Sequence, residues 1–191
     1  MIELKNLNKA FGEKQVLKNL NWTIPEGSTS VIMGPSGGGK TTLLRILLGL
    51  EQADSGTVSG LEGKRLSAVF QEDRLCENVS AVSNLRLVNP ALSRKSAESM
   101  LAKLGLGDAL RQPVRELSGG MKRRVAIARA LCTEYDVLLA DEPFKGLDEE
   151  TKRRTMEFFS ESVQGKTVII VTHDPSEAEI LEGRILLMET V

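Results

Sequence analysis

The stretch from Gly34 to Thr41, Gly-Pro-Ser-Gly-Gly-Gly-Lys-Thr, constrains the fold more than any other part of the chain. It matches the pattern G-x-x-x-x-G-K-[ST], a glycine-rich loop whose backbone amides surround phosphate groups. An apolar segment with strand character precedes it at 29–33, and a leucine-rich segment with helix character follows at 40–50. Because such a loop functions between a strand and a helix N-terminus, the sequence predicts an α/β fold that binds a nucleotide.

The loop residues have predicted roles in holding a triphosphate. We expect Lys40 to reach the β- and γ-phosphates, the Thr41 hydroxyl to bind Mg²⁺, and Thr42 to help hold the α-phosphate. The other members of the predicted nucleotide-binding set are Gly34, Pro35, Ser36, Gly37, Gly38 and Gly39. A glycine-rich turn without a ligand is the alternative, and the flanking strand and helix argue against it.

Charge and composition exclude several function classes. Of 191 residues, 41% are hydrophobic and 27% charged, as in ordinary soluble domains. The net charge of −1 gives no basic field, so nucleic acid is not a predicted partner. No apolar run approaches the roughly 18 residues of a membrane span, and the first residues lack a signal-peptide pattern. Cys76 and Cys132 fit a reducing compartment without a disulfide, so we expect a protein of the cytosol or of the cytosolic membrane face.

Periodicity predicts a helical insertion between two α/β parts. The first part has predicted strands at 2–7, 16–24, 29–33, 56–59 and 68–70. Predicted helices follow at 79–88, 93–104 and 118–131. The last part alternates strands at 137–140, 167–172 and 184–189 with helices at 149–162 and 175–181. We therefore predict one domain over 1–191, with a core at 1–71 and 133–191, a mainly parallel sheet, and a helical subdomain at 72–132.

Two acidic residues follow the buried strand predicted at 137–140. The carboxyl ends of parallel strands are where such sheets bind ligands. We expect Asp141 to hold Mg²⁺, directly or through a water, and Glu142 to act as general base on the attacking water. The alternative is a pair of acids at a solvated strand end, which the phosphate loop makes the weaker interpretation.

A second potential phosphate site opens the helix predicted at 118–131. Ser118 is a predicted N-cap, and the glycines Gly119 and Gly120 expose backbone amides at the helix start. Three cations follow at 122–124, where the helix dipole favours anions. A bound phosphate nearby would relieve that conflict, and a solvated basic face is the equally open alternative.

The segment Leu-Ser-Gly-Gly-Met at 117–121 resembles the LSGGQ signature of the ATP-binding-cassette (ABC) ATPases. Together with the phosphate loop and the acidic pair, the resemblance covers essentially the whole chain in the family's order. Met121 stands where glutamine is usual, at a variable position of the signature. The resemblance implies a P-loop (RecA-like) mixed sheet with an N-terminal antiparallel part, ATP and Mg²⁺ as cofactors, and ABC-type ATP hydrolysis.

The resemblance also implies individual roles for three further residues. Gln71 matches the Q-loop glutamine, which contacts Mg²⁺ and the attacking water. His173 matches the switch histidine at the γ-phosphate, although a lone histidine after a strand is otherwise more often structural. Asp148 matches the D-loop aspartate, whereas Lys145 and Gly146 depart from the usual Ser-Ala, which leaves the coupling between two sites open.

Phe11 occupies the position where the family has an aromatic ring stacked on adenine, with a hairpin core residue as the alternative. In this family two subunits pack head to tail. The resemblance therefore implies that Ser118, Gly119 and Gly120 of one subunit complete the phosphate loop of another. The partner subunit would be a second copy or a paralogous ATPase.

The resemblance also implies a peripheral subunit at the cytoplasmic face of the membrane that drives transport through separate permease subunits. Residues 70–79 resemble importer ATPases of the nitrate, sulfonate and taurine group, with a shorter stretch after Leu75. This predicts uptake of a small solute, with a solute-binding protein as a further partner. The alternatives are a non-importing complex (exporter, lipoprotein-release or cell-division type) and a soluble family member acting on DNA or ribosomes. A nucleotide kinase would share the phosphate loop but not the signature or Gln71.

Overall fold

The computed structural model describes residues 1–189. Its elements, in chain order, are β1 (Ile2–Phe11), β2 (Lys14–Ile24), β3 (Thr29–Met33), α1 (Lys40–Leu47), β4 (Ser55–Ser59), β5 (Leu66–Val69), α2 (Ala81–Val88), α3 (Arg94–Lys103), α4 (Gly119–Leu131), β6 (Val137–Asp141), α5 (Glu149–Ser162), β7 (Thr167–Val171), α6 (Pro175–Ile180) and β8 (Arg184–Leu187). Two short 3₁₀ turns, Gly107–Ala109 and Val114–Glu116, precede α4 and were not predicted.

The chain divides into two compact units. Among the described residues, the first unit contains 1–66, 135–142 and 165–189, and the second contains 67–134 and 143–164. Helix α5 therefore belongs with the helices of the second unit, although the sequence grouped it with the core at 133–191. The domain boundaries proposed from the sequence stay a prediction.

An antiparallel sheet in the order β2–β1–β4 begins the first unit. The pairing of β1 with β2 runs from Ile2 opposite Ile24 to Phe11 opposite Lys14, with irregular register between Leu4 and Leu7. Asn6 lies there with a positive φ of 50°. Such a bulge shifts the alternation by one residue, which returns Leu7 to the buried face. The predicted strand ended at residue 7, whereas the observed strand continues to Phe11. Two further register shifts, between Leu7 and Lys9 and between Lys9 and Ala10, leave residues 8–11 without alternating burial.

The second sheet has the order β5–β6–β7–β3–β8. Strand β3 pairs in parallel with β7 on one side and with β8 on the other, and β6 pairs in parallel with β7. Every residue of β6 and β7 is buried, as their continuous apolar sequences predict. Parallel pairing brings the carboxyl ends of β3, β6 and β7 to one edge, which is where the predicted site residues follow each strand.

The second unit has its own apolar core. Helices α2, α3 and α4 supply most of it, through buried residues such as Leu85, Leu101 and Val125. Serine N-caps begin all three: Ser80, Ser93 and Ser118 each accept a hydrogen bond from the amide three residues later. Their side chains satisfy amides that have no partner inside the helix, which explains where each helix begins.

The predicted fold class is confirmed: an α/β fold with a parallel sheet and an N-terminal antiparallel part. No helix within residues 1–189 combines the length and apolar character needed to cross a bilayer. Cys76 and Cys132 are free thiols, the first exposed and the second buried.

Candidate active site

The phosphate loop follows β3 and has a backbone that only glycine tolerates at two points. Gly34 has φ of 151°, and a Cβ there would lie 2.2 Å from the carbonyl oxygen of Met188. Gly39 has φ of 84°, and its Cβ would lie 2.3 Å from the carbonyl oxygen of Val16. Gly39 also begins α1 without any side-chain cap. The first amides of α1 are therefore not capped by a side chain of their own, as a phosphate-binding helix start requires.

The Lys40 ammonium lies inside the loop. Its Nζ donates hydrogen bonds to the carbonyl oxygens of Gly34, at 2.8 Å, and Pro35, at 2.7 Å. The two carbonyl oxygens hold the ammonium against the backbone of the phosphate loop. A phosphate oxygen is a stronger acceptor for this ammonium than either carbonyl, because a charge-assisted bond between ions is shorter and stronger.

Thr41 and Asp141 form the next part of the site. The Thr41 hydroxyl donates to Oδ2 of Asp141 at 2.8 Å, although the two residues are 100 apart in sequence. Asp141 is 6% exposed at the end of β6. A hydroxyl and a carboxylate at this separation supply the oxygen donors that Mg²⁺ prefers, with other positions left for water and phosphate. The predicted metal residues of the first unit are thus adjacent.

Glu142 and His173 face each other across the ends of β6 and β7. Oε1 of Glu142 lies 3.3 Å from Nδ1 of His173, and the two side chains are 18% and 66% exposed. The backbone amide of Glu142 donates to the carbonyl of Val171 at 2.8 Å. Glu142 also has φ of 46°, the left-handed region that costs a non-glycine residue roughly 1–2 kcal/mol. Strain of this kind is concentrated at functional sites.

Phe11 ends β1 as a half-exposed ring, at 49% of its maximal exposure. The alternative that Phe11 is a hairpin core residue is therefore wrong. The Lys9 ammonium lies 5.0 Å from the ring centroid, and it is also held by Glu51 at 2.9 Å and Asp54 at 3.3 Å. The hydrogen bond to Glu51 is the main cause that raises the pKa of Lys9. A cation on a fixed side of the ring orients it, and no sequence signal had indicated Lys9.

The second unit carries the remaining predicted residues. Ser118 caps α4 by accepting from the amide of Met121 at 3.3 Å. Gly119 has open space where a Cβ would stand, and at Gly120 a Cβ would lie 3.4 Å from the Leu147 side chain. Gly119 is exposed and Gly120 is half-buried, so the backbone at the start of α4 is open at Gly119, as the predicted second phosphate site requires.

Asp148 and Gln71 also lie in the second unit. Asp148 caps α5 by accepting from the amide of Thr151 at 3.0 Å, and this bond is the largest cause that lowers the pKa of the carboxyl group. Gln71 is exposed in an irregular segment after β5. The geometry thus gives Asp148 a capping role beside any nucleotide role, and it leaves the Gln71 side chain accessible.

The cations at 122–124 do not form the solvated basic face that was one interpretation of the sequence. Lys122 contacts Glu77 at 3.3 Å, and Nη1 of Arg124 donates to the carbonyl of Leu104 at 2.6 Å. Arg123 is 5% exposed and donates to backbone carbonyls. These side chains are held by acceptors of the protein itself, so the helix start is not a solvated basic face. The phosphate interpretation stays a prediction.

The structure thus brings together seven of the predicted residues in the first unit. Around the loop they are Gly34, Gly39, Lys40, Thr41, Asp141, Glu142 and His173, which contact one another or follow adjacent strands. Gln71, Ser118, Gly119, Gly120 and Asp148 belong to the second unit. The first set has what phosphoryl transfer to water requires: a phosphate cradle with a cation, oxygen donors for a metal, and a carboxylate beside them.

Comparison with known proteins gives consistent matches. The ABC transporter family model matches residues 17–145. The aliphatic sulfonates import ATP-binding protein SsuB 1 of Paracoccus denitrificans is 39% identical over 190 residues, covering 98% of this chain and 78% of that protein. The probable ABC transporter ATP-binding protein PEB1C of Campylobacter jejuni is 38% identical over 210 residues, covering 99% and 87%.

Two solved structures of the bacterial ABC transporter cassette MJ0796 are similar over the whole chain. Its dimeric structure has a TM-score of 0.88 at 33% identity, covering 99% of this chain and 94% of that one. Its dimeric post-hydrolysis state, bound to ADP and Pi, has a TM-score of 0.87 at 33% identity, covering 100% and 96%.

Proposed function

The chain belongs to the ABC transporter family as an ATP-binding subunit with ATPase activity, and we propose that it hydrolyses ATP in a head-to-tail dimer to drive uptake of a small solute through separate permease subunits. The family model and two relatives at 39% and 38% identity carry the membership. The predicted family and enzyme class are therefore confirmed. The dimer arrangement, the partners and the direction of transport are the proposal.

The observation that carries the chemistry is the adjacency of Lys40, Thr41 and Asp141 on one side of the site and Glu142 with His173 on the other. Lys40 would exchange its two carbonyl partners for the β- and γ-phosphates. Thr41 and Asp141 would hold Mg²⁺, which supplies positive charge that neutralises the phosphate oxygens when bound. Phe11, oriented by Lys9, would stack on the adenine.

Glu142 is the group best situated to accept a proton from the attacking water. Its carboxylate lies at the end of β6, directly after the predicted metal residue, and contacts His173. His173 would in turn contact the γ-phosphate, while keeping the Glu142 carboxylate in one orientation. Gln71, from the second unit, is proposed to contact Mg²⁺ and the same water.

A second copy would complete the site. Ser118, Gly119 and Gly120 of one subunit are proposed to bind the γ-phosphate held by the phosphate loop of the other. Accessible amides at the start of α4 support this, because a helix N-terminus attracts anions. The dimeric structures of MJ0796, at 33% identity, support an association of two cassettes. A paralogous ATPase subunit could take the place of the second copy.

Uptake is favoured over release by the names of the relatives, because SsuB 1 is an import ATP-binding protein. The proposed partners are therefore integral permease subunits, with a solute-binding protein outside the membrane and no nucleic acid. The protein would work at the cytoplasmic face of the membrane. A non-importing ABC complex remains the second candidate, because the ATPase site is the same in both.

Capture of the closed state tests the transport role. A Glu142→Gln variant should bind ATP·Mg²⁺, hydrolyse it very slowly and remain assembled, so its partners should co-purify from detergent-solubilised membranes. The expected partner is a multi-spanning permease, and a solute-binding protein beside it would establish import. The control is Glu157→Gln, the same change on an exposed face of α5. Only soluble partners on Glu142→Gln, or no partner at all, would contradict the proposal.

A further inference from the structure

Arg123 is a buried arginine of α4 to which neither the motifs nor the proposed chemistry assign a role. Its side chain is 6% exposed. Nε donates to the carbonyl oxygen of Pro143 at 2.8 Å, and Nη1 donates to the carbonyl oxygen of Phe70 at 2.6 Å. Nη1 also lies 3.3 Å from the carbonyl oxygen of Gln71 and 3.1 Å from Oδ1 of Asp73. One guanidinium therefore holds two chain segments that are far apart in sequence.

The segment held by Arg123 is the one that carries Gln71. We call residues 70–74 the glutamine loop; it has no helix or strand of its own. Arg129, one and a half turns further along α4, holds the other end of it. Its Nη1 donates to the carbonyl oxygen of Arg74 at 2.7 Å, and its Nη2 donates to that of Asp73 at 3.0 Å. The backbone of the glutamine loop is thus fixed to α4 by side-chain donors rather than by a strand or helix.

Holding two chain segments at once requires the planar guanidinium of an arginine. A guanidinium is planar and presents five donors in fixed directions, whereas a lysine ammonium is a point charge on a flexible stem. Burying a cation is expensive unless it is well paired, and a well-packed apolar side chain often serves stability as well or better. The burial of Arg123 is therefore better explained by the positions that it fixes than by the stability that it adds.

We infer that Arg123 is a positioning residue for Gln71. It holds the glutamine loop and Pro143 at fixed positions relative to the start of α4. Pro143 follows Glu142 directly in the chain, and Ser118 caps the same helix that carries Arg123. The guanidinium thereby connects α4, the helix that begins at the signature, to the glutamine loop and to the residue that follows Glu142. This inference rests on the proposed function, because the contact of Gln71 with Mg²⁺ and the attacking water is part of that proposal.

An Arg123→Lys variant tests the inference by its kinetics. The change keeps the charge and removes the fork, so Gln71 should lose its fixed position. We expect kcat for ATP hydrolysis to fall roughly 10- to 100-fold, since small misplacements have effects of that order. The KM for ATP should stay within about twofold, because the Lys40 loop binds the nucleotide without Arg123. The control is Arg154→Lys, an exposed arginine that also donates to a carbonyl, that of Lys103, and should leave kcat unchanged.

A double-mutant cycle separates positioning from a merely structural effect. If Arg123 acts through Gln71, Arg123→Lys should lower kcat in the wild-type background and have little further effect in a Gln71→Ala background. An equal fall in both backgrounds, or no fall in the wild-type background, would overturn the inference. Should Arg123→Lys fail to fold, Asp73→Asn takes its place in the cycle by the same criterion, because it removes only the carboxylate partner of the guanidinium.

Amide hydrogen exchange tests whether Arg123 fixes the glutamine loop, independently of ATP hydrolysis. In Arg123→Lys, exchange should speed up at 70–74 and stay unchanged in α3. Unchanged exchange at 70–74 would overturn the inference even if the enzyme is active. A wild-type protein that does not hydrolyse ATP would contradict the proposed function instead, and the exchange result would still decide whether Arg123 fixes the glutamine loop.

Discussion

The backbone of Glu142 is strained, and the same strained turn places its carboxylate beside His173. Its left-handed backbone, with φ of 46°, turns the chain after β6 so that its carboxylate meets His173. A proline follows it, which restricts its backbone further. A residue chosen for stability at this position would be glycine, so we interpret the glutamate as retained for its carboxylate.

Two substitutions measure how much free energy of unfolding the left-handed backbone at Glu142 costs. Glu142→Gly and Glu142→Ala both remove the carboxylate, and only alanine keeps the Cβ that opposes a positive φ. We expect the glycine variant to be more stable than the alanine variant by about 1 kcal/mol in urea unfolding, because the left-handed strain is roughly 1–2 kcal/mol and glycine has the larger unfolded-state entropy. Both should be inactive. An alanine variant as stable as the glycine variant would show that Glu142 is not strained.

The residues that the sequence predicted best are those with local signals. Gly34 to Thr41 carry a pattern whose glycines are required by backbone conformation, and Asp141 follows a strand that is apolar at every position. Arg123 shows the limit of such signals. In sequence it belongs to a run of cations and resembles a solvated face, and its true partners lie at Pro143 and in the glutamine loop, 20 and about 50 residues away.

Four helices of the second unit begin with the same kind of side-chain N-cap. Ser80, Ser93, Ser118 and Asp148 each cap a helix by accepting from the amide three residues on. Only the start of α4 is also followed by two glycines. A cap is therefore the common structural role of these side chains, and contact with a second subunit is the additional role proposed for Ser118.

Two matched substitutions separate those roles. Ser118→Arg and Ser93→Arg each remove an N-cap, which costs about 0.5–2 kcal/mol of stability in either helix. We expect Ser118→Arg to leave ATP binding to the monomer intact and to block ATP-driven dimer formation, measured by light scattering. Ser93→Arg should still dimerise. Loss of ATP binding by the isolated Ser118→Arg subunit would mean that the signature serves the site of its own chain.

The C-terminal end of α4 predicts an alkaline loss of stability. Cys132 is the C-cap, and burial raises the pKa of its thiol from 9.0 to about 11. Between these values the unfolded chain has lost the proton that the folded chain retains, so the free energy of unfolding falls as pH rises. Urea unfolding at pH 8 and pH 10 should show this fall in the wild type and in Cys76→Ala. A Cys132→Ala variant with an undiminished fall would contradict the assignment.

Element boundaries followed from periodicity wherever it was unbroken. Strand β3 and helix α5 have the predicted ends, because each is bounded by a turn or a cap that the sequence shows. Strand β1 is longer than predicted because register shifts beyond Leu7 leave its last residues without alternation, and such shifts are defined by the partner strand rather than by the local sequence. Helix α1 ends at Leu47, before the predicted residue 50.

Within one copy, the first unit holds the phosphate loop, the proposed metal residues, the proposed general base and the histidine, while the second unit holds the signature. Under the proposal, one copy offers two helix starts, those of α1 and α4, that would bind phosphate. A head-to-tail pair of copies would use both starts at each of its two sites. The proposed dimer would then depend on ATP, because the γ-phosphate would bind both subunits only while it remains attached.

We propose that ATP closes two copies around two nucleotides, and light scattering of the Glu142→Gln variant measures this closure. The variant keeps the size of the side chain and removes its basicity, so bound ATP should persist. We expect a monomer without nucleotide and with ADP, a dimer with saturating ATP·Mg²⁺, and two ATP molecules per dimer. A variant that binds ATP and remains monomeric at saturation would contradict the account.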